Sequence, residues 1–342
     1  MKLPLVSIII VTWNSASNLT SSLSALSRQT FQNFEIVLVD NGSTDGTLDA
    51  LKWEQFDLDM VVERLDRNLG FAAANNLGAQ RARGRWLVLL NTDAFPEPNW
   101  LEQLLRAANN NPLYASFSSR QLQAESPEFL DGAGDSYHVS GLAWRNGLSY
   151  PSHEYGLDTK ELFGPCAAAA MYLREAFLEV GGFDEDFFSY FEDIDLGFRL
   201  QLKGYRCLYV PEAVVHHIGS ATFGERSDFA FYHSHRNLVW TFVKNMPSTL
   251  LWRYLPMHLI ANLIYVLYYT IRGRGKVLWQ AKYDALKDLP KFIRKRRELQ
   301  KNSRVSSDEL MKVMQHGWLQ PYLLGYHLRK ARRAAGFSSS KN

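Results

Sequence analysis

The sequence predicts an α/β fold: a mostly parallel sheet with helices on both faces, followed by a helical, basic C-terminal region. Three observations carry this. In the first 95 residues, apolar β-branched runs alternate with stretches of helical spacing. Those runs are apolar at successive positions, which fits strands buried on both faces. The charge is also divided. From Arg272 onward 18 Lys and Arg stand against 5 Asp and Glu, whereas the preceding residues carry 20 against 30, so the net +3 of the 342-residue chain hides an acidic body and a basic tail.

Each element follows from its residues. VSIIIVTW (6–13) reads as the first strand; Pro4 and a single charged residue, Lys2, set it apart from a secretory leader. SNLTSSLSALSRQT (17–30) places Leu19, Leu23 and Leu26 on one helical face behind Ser and Asn caps. FEIVLVD (34–40) is the second strand, ended by the turn residues NGSTDGT. TLDALKWE (47–54) predicts a short helix, MVVERL (60–65) a third strand, FAAANNLGAQRA (71–82) a helix and RWLVLLNTDAF (85–95) a fourth strand. Residues 112–160 are rich in Gly, Ser and Tyr and show no period. GPCAAAAMYL (164–173) predicts a strand, REAFLEVGG (174–182) a helix with a Gly stop, and EDIDLGFRLQLKG (192–204) an amphipathic helix ended by Gly204. CLYVPEAVVHHIGS (207–220) predicts a strand, a Pro bend and a second strand. After about residue 228 the chain becomes helical and very apolar, then basic through KFIRKRRELQK; the final FSSSKN is expected to be disordered. Two cysteines, Cys166 and Cys207, make no disulfide framework, and a reducing compartment is expected.

Ligands of such sheets bind outside the carboxyl ends of the strands. Here those ends are Thr12-Trp13-Asn14, Asp40-Asn41-Gly42-Ser43, Arg67-Asn68 and Asn91-Thr92-Asp93, all polar although the strands are apolar. No GxGxxG follows the first strand and no GxxxxGK[ST] loop is present. An aspartate at a strand end, such as Asp93, can hold a hard divalent cation together with substrate phosphates, although by itself it fits ordinary turn chemistry more readily. His216 and His217, adjacent on a strand, point to opposite faces, so one can be structural and the other a ligand. FDEDFFSYFEDIDLGFRL (183–200) mixes six acids with six aromatics. Unpaired buried carboxylates are costly, so a segment of this kind lines a site.

Six segments share one order with a known family: VSIIIVTWNS, EIVLVDNGSTDGT, RNLGFAAANNLG, LLNTDA, the run from GPCAAAAMYL to LQLKGYR, and VVHHIGS. Over roughly residues 5–245 the sequence resembles the family 2 glycosyltransferases of GT-A fold, especially their bacterial rhamnosyltransferase-like branch. The resemblance implies an inverting transferase that moves a sugar from a nucleotide-diphosphate sugar, with dTDP-rhamnose a candidate, to an acceptor hydroxyl in cell-surface polysaccharide or lipopolysaccharide synthesis. It divides the chain into a catalytic domain over 1–228, with a nucleotide-binding half (1–95) and an acceptor half (96–228), and a helical region over 229–342. It assigns Thr12, Asn14 and Asp40 to the nucleoside pocket, and Arg67, Asn68 and the Gly70 turn to the segment flanking the nucleotide. Asn91-Thr92-Asp93 stands where the family has Asp-x-Asp. Thr92 then faces the donor, and Asp93 is the firm ligand for Mg²⁺ or Mn²⁺. His217 matches a late histidine that completes the metal shell, and His216 is the weaker match. Asp193 matches the general base. Two roles are open for its neighbour Glu192: orienting the acceptor, or pairing with Arg199. Asp184 and Asp186 are expected to be loop or cap residues. The chemistry fits these roles, since an acceptor hydroxyl attacks well only as its proton is removed, and a metal neutralises the leaving diphosphate.

Leu250 to Ile271 is apolar but interrupted by Arg253, Pro256, His258 and Asn262. Tyr265, Tyr268 and Tyr269 suit a headgroup layer, and Arg272, Arg274, Lys276 and KFIRKRR follow. Peripheral association at the cytoplasmic face of the plasma membrane is the expectation; soluble packing and a true span stay open. The acceptor is expected to be a glycan or a lipid-linked glycan. No nucleic-acid recognition motif accompanies the basic tail. Two other functions compete. A sugar-nucleotide pyrophosphorylase would need a Gly-rich, basic loop after the first strand, where WNSASN stands. A non-catalytic nucleotide- or glycan-binding relic would have no need of both Asp93 and Asp193.

Overall fold

The computed structural model describes residues 3–49, 51, 53–219 and 227–318. Ser220, which closes the HHIGS run, and the end of the basic tail with FSSSKN lie outside the described residues. The first elements fall where the apolar runs place them: β1 (Val6–Thr12), α1 (Ala16–Ser27), β2 (Phe34–Asp40), β3 (Met60–Arg64), α2 (Phe71–Arg81) and β4 (Trp86–Leu90). They are followed by β5 (Ala94–Pro96), α3 (Trp100–Asn110), β6 (Tyr114–Gln123), β7 (Leu130–Gly132), β8 (Asp135–Tyr137), β9 (Ala143–Arg145), β10 (Lys160–Leu162), β11 (Ala169–Leu173), α4 (Arg174–Glu179), α5 (Glu192–Leu202) and β12 (Arg206–His217). Helices complete the described chain: α6 (Asp228–Asn245), α7 (Ser248–Ile271), α8 (Gly275–Lys287), α9 (Leu289–Lys301) and α10 (Ser307–Val313).

The main sheet runs β10-β12-β6-β11-β4-β1-β2-β3, with β5 paired to β12 and β7 to β6. Strands β1 to β4 are mutually parallel, β11 runs against both β4 and β6, and β12 is parallel to β6. Alternate residues serve opposite faces. Ile8 and Ile10 pack with Leu19 and Leu23 of α1 and Trp100 and Leu104 of α3, whereas Ile9 and Leu89 pack with Ala72 of α2 and Leu196 of α5. At Gly78 in α2, an added Cβ would stand 2.4 Å from Ile9 Cγ2, so glycine is what lets that helix lie against β1.

Four expectations are corrected. In place of a helix over 47–54, the described residues form turns and one short 3-10 turn, Trp53–Gln55. Thr47 donates its backbone N–H to Asp45 Oδ1 (2.9 Å) and accepts from Ser15 N (3.0 Å), local bonds that compete with a helical ladder. The fourth strand breaks after Leu90, where Ala94 N bonds back to Asn91 O, and the chain then pairs as β5 with β12. The strand expected over 164–173 begins only at Ala169, after a turn closed by Ala169 N to Cys166 O. The Pro211 bend lies inside one continuous strand, β12, as a register shift between Val210 and Val214.

The C-terminal helices share a core with the body. Tyr137, Phe163, Phe198 and Leu202 cluster with Phe242 of α6, Met246 just after it, Leu250 of α7 and Leu310 of α10. Both cysteines are free and buried.

Candidate active site

A cleft of about 650 Å³ opens at the carboxyl ends of the first strands. Its N-terminal wall comes from Val11, Trp13, Ser15, Asn41, Asn68 and Gly70. Thr12 lies fully buried between Val11 and Trp13, its Oγ1 without a hydrogen-bond partner among the described residues. Asn14, at φ 50°, is exposed; its Oδ1 accepts from Thr44 N (2.9 Å) and its N–H donates to Ser43 Oγ (3.0 Å). Asp40 Oδ1 accepts from Ser43 N (3.1 Å), closing the turn after β2. Arg67 is exposed, and its backbone packs under Gly42.

Asn41 sets the geometry of this wall, and sequence reasoning passed over it as a turn residue. Its Nδ2 donates to Asn68 Oδ1 (3.0 Å) and its Oδ1 accepts from Leu69 N (2.8 Å), while Asn68 Oδ1 also accepts from Gly70 N (2.8 Å). Gly70 has φ 88°, and a Cβ there would meet the Phe188 ring at 2.6 Å, so glycine is required where the two walls of the cleft touch.

Asp93 and His217 come together. The turn after β4 carries Asp93 to the end of β12, and His217 Nε2 stands 3.3 Å from Asp93 Oδ1 without an aligned hydrogen bond. His217 Nδ1 bonds Asp131 Oδ2 (2.8 Å), which also accepts from Arg145 Nη1 (2.6 Å). Burial pulls the His217 imidazole down, but Asp131 and Asp93 raise it to about 9. His216 points the other way, to Glu97 Oε1 (3.2 Å). A buried ring nitrogen with no hydrogen bond among the described residues, beside a carboxylate and with its other nitrogen held by a second carboxylate, is a donor arrangement a divalent cation can use. The residues present therefore fit such an ion, which would replace a proton at Nε2. Asp131 and Arg145 were missed because they lie in the stretch without period; an acid in DGAGD was the available signal.

Glu192 and Asp193 begin α5. Asp193 Oδ1 accepts from Ile194 N (2.8 Å) and Oδ2 from Ala167 N (3.4 Å), and one edge of the carboxylate faces the cleft although protein surrounds it. Asp135, Cys166 and Asp193 bring ligand-type atoms within 4.8 Å of one another. Burial pushes the Cys166 thiol up to about 12, so it keeps its proton. Burial and the nearby Asp193 push Asp135 well above the carboxylate range. Burial also raises the Asp193 carboxyl, opposed by the N–H groups of Ile194 and Ala167 and by Arg145, so these two carboxyls do not both ionise readily. Burial, with Asp193 adjacent, likewise raises Glu192, whose Oε2 is buried without a hydrogen-bond partner among the described residues. The Arg199 pairing open to Glu192 is not made: Arg199 bonds Asp195 Oδ2 (2.8 Å) and the carbonyls of Val180 and Gly182.

The loop before Asp193 is strained. Phe188, Tyr190 and Phe191 have φ of 65°, 67° and 68°, a region that non-glycine residues avoid. Helix α6 holds it. Asn237, fully buried, reaches the carbonyls of Phe187 (3.0 Å), Ser189 (3.0 Å) and Tyr190 (2.6 Å). Lys244 bridges Asp184 (2.7 Å) and Asp195 (2.6 Å), and Lys295 of α9 bonds Asp184 (2.5 Å) and Asp186 (2.6 Å). Asp184 caps the 3-10 turn over 185–187, as expected of a cap residue, and also anchors these lysines.

This arrangement agrees with what sequence comparison finds. A match to glycosyl transferase family 2 covers residues 7–181, more than half of the chain. The chain belongs to that family. It is 30% identical over 246 residues, 63% of this chain, to the N-acetylglucosaminyl-diphospho-decaprenol L-rhamnosyltransferase of Mycobacterium tuberculosis. It spans only part of its curated relatives: 76% of that one and 25% of an uncharacterized Sinorhizobium fredii protein to which it is 31% identical. Among solved structures, GalNAc-T7 with UDP, GalNAc and Mn²⁺ matches at a TM-score of 0.58 and 20% identity, covering 72% of this chain and 49% of that one. A Pyrobaculum calidifontis mannosyltransferase with GDP-Man and Mn²⁺ matches at 0.51 and 16%, covering 98% of this chain and 84% of that one. These likenesses establish the GT-A fold for this family 2 chain, whose mixed sheet keeps helices on both sides.

Proposed function

We propose that this family 2 protein is an inverting glycosyltransferase that takes a sugar from a nucleotide-diphosphate donor to an acceptor hydroxyl in cell-surface glycan synthesis. The observation that carries the reading is a single cleft lined by Asp93 and His217 as well as by Asp193. In this reading Asp193 removes the acceptor hydroxyl proton as that oxygen bonds to the anomeric carbon and the carbon–diphosphate bond breaks, which inverts the centre. Burial raises the Asp193 carboxyl, which suits a base that must take a proton, while the Ile194 and Ala167 N–H groups and Arg145, itself bonded to Asp131, oppose that rise. Asp131 keeps the Nδ1–H tautomer of His217, leaving Nε2 toward Asp93. Asp93 and His217 would hold Mg²⁺ or Mn²⁺, which supplies neutralisation of the leaving diphosphate when bound. Thr92, Asn41 and Asn68, with Thr12, Asn14, Asp40, Arg67 and Gly70 behind them, form the donor side. Glu192, kept neutral, is a hydrogen-bond donor for the acceptor. Phe188, Tyr190 and Phe191 line the cleft and exclude water that would hydrolyse the donor.

The chain divides functionally as a nucleotide half over 1–95, an acceptor half over 96–228 and a helical region from 229. We place it at the cytoplasmic face of the plasma membrane, acting on a lipid-linked glycan. A rhamnose donor draws support from the mycobacterial relative. The test is incubation with radiolabelled dTDP-rhamnose and a panel of other sugar nucleotides, with Mn²⁺, Mg²⁺ or EDTA. Metal-dependent release of nucleoside diphosphate with transfer of label is expected. Formation of sugar nucleotide from sugar phosphate and nucleoside triphosphate would establish a pyrophosphorylase instead, and binding with no turnover of any donor would make it a relic. Full activity in EDTA would remove the metal.

A further inference from the structure

Helix α7 is apolar on two faces, and among the described residues only one is covered. Leu250, His258 and Ala261 are buried against the body. On the other side Trp252 (71% exposed), Leu259, Leu263 (57%), Leu267 and Ile271 (85%) follow one another at helical spacing. The stripe runs most of the length of a 24-residue helix, about 36 Å at the usual rise. The next helix, α8, also exposes Trp279 and Tyr283. So continuous an apolar surface marks an interaction site.

Charge identifies the occupant. Residues 248–287 contain six Lys and Arg and one acid, Asp284. Arg253, Arg272 and Lys276 are exposed at the margins of the stripe. Apolar side chains flanked by cations suit an anionic bilayer. Among the described residues α7 is the one helix long and apolar enough to cross a membrane, but its other face is committed to the body. His258 Nδ1 bonds Ser140 O (2.8 Å), its ring stacks on Phe242 (4.0 Å between centroids), and burial pulls it down to about 4. A spanning helix would have to break these contacts; a helix lying in the interface keeps them.

The C-terminal end of α7 also touches the cleft. Tyr269 packs edge-on against Phe231 (4.7 Å between centroids), and Tyr265 against His235 (5.2 Å). Phe231 and His235 line the cleft that contains Asp193. We propose that α7 rests flat on an anionic bilayer through its exposed stripe, and that the Tyr269–Phe231 seam leads the lipid part of a membrane-borne acceptor from that surface to the cleft. The docking stands on the surface alone; the acceptor route rests on the glycosyl-transfer reading.

Flotation of the full chain with phosphatidylglycerol-containing vesicles tests the docking, using Leu263→Glu/Leu267→Glu as the variant because both positions are exposed. Wild type should float and be partly released by high salt. The variant should partition roughly a hundredfold more weakly, two leucine insertions being lost, while UDP and dTDP titrations with Mn²⁺ stay unchanged. A wild type that stays with the soluble fraction, or a variant that floats equally well, overturns the docking. If the variant instead dissociates a dimer that never bound vesicles, the occupant is a second copy and the inference fails. Loss of nucleotide binding by both proteins, with flotation intact, counts against the transferase reading and not against the docking. A benzophenone-tailed prenyl phosphate in the same vesicles should cross-link to peptides containing Phe231 or Tyr269; cross-linking only elsewhere overturns the seam.

Discussion

The N-terminal wall of the cleft is made by strand ends that are neighbours in the sheet, whereas the wall carrying Asp193 is assembled from segments as far apart as Asp131 and Asn237. In the first wall, short polar side chains bond loops to loops: Asn14 to Thr44, Asn41 to Asn68 and Leu69. Once β1 and β2 pair in register, these loops have little choice of position. In the second wall, a loop with three left-handed non-glycine residues is held against its own preference by α6 and α9. Left-handed residues of this kind cost about 1–3 kcal/mol each and persist only where surroundings enforce them. A wall of adjacent strand ends is rigid through the sheet; a wall of distant parts depends on every part.

Substitutions can break or sharpen this contrast. The largest effect is expected at the chemistry: Asp193→Asn keeps the shape of α5 and removes the base, so transfer should fall by about 10²–10⁴-fold with nucleotide binding intact in a calorimetric titration. Wild-type turnover in this variant would take the base away from the distant wall altogether.

Next is the clamp. Lys244 is buried between Asp184 and Asp195, so Lys244→Met leaves uncompensated charge and should cost on the order of 3–5 kcal/mol in urea unfolding. A loss near zero would mean that the second wall stands without α6. The same clamp predicts an acid limit. Burial pushes the Asp184 carboxyl up, yet Lys244 and Lys295 pull it well below its usual 3.8. Its folded value being the lower one, its stabilisation is complete above that unfolded value and is lost as pH falls through the folded one. Unfolding midpoints measured from pH 5 downward should therefore drop more steeply for wild type than for Lys244→Met.

Smaller effects should separate the walls kinetically. Asn237→Ala frees the strained loop and should lower kcat about tenfold through misplacement of Asp193, leaving donor KM near wild type. Asn41→Ala should do the opposite, weakening donor binding by about 1 kcal/mol through one lost neutral hydrogen-bond set with kcat nearly unchanged. If both variants moved KM alone, the two walls would not differ in the way described.

Much of this molecule was legible in the chain. VSIIIVT and FEIVLVD can be little else than doubly buried strands, because apolar side chains at successive positions need cover on both faces, and the polar strand ends then had to gather at one edge. Asp93, Asp193 and His217 could be named because each sits in a recognisable local segment. Helix α3 was readable too, since Trp100, Leu101, Leu104 and Ala108 share one buried face, but no element was assigned there. The helix expected over 47–54 failed because Asp45 and Thr47 satisfy the backbone locally. What the sequence by itself determined was the run of early strands and helices, a consequence of short-range periodicity, and the candidate chemical residues, which the ordered family segments pointed out. What only the tertiary structure decided was which of those residues meet: Asp131 with His217, Asp135 beside Asp193, Asn237 under the loop at 187–190. These pairings join residues 47 to 86 positions apart or couple charges through burial, and no local pattern records either, because contact and desolvation exist only once the chain has closed on itself.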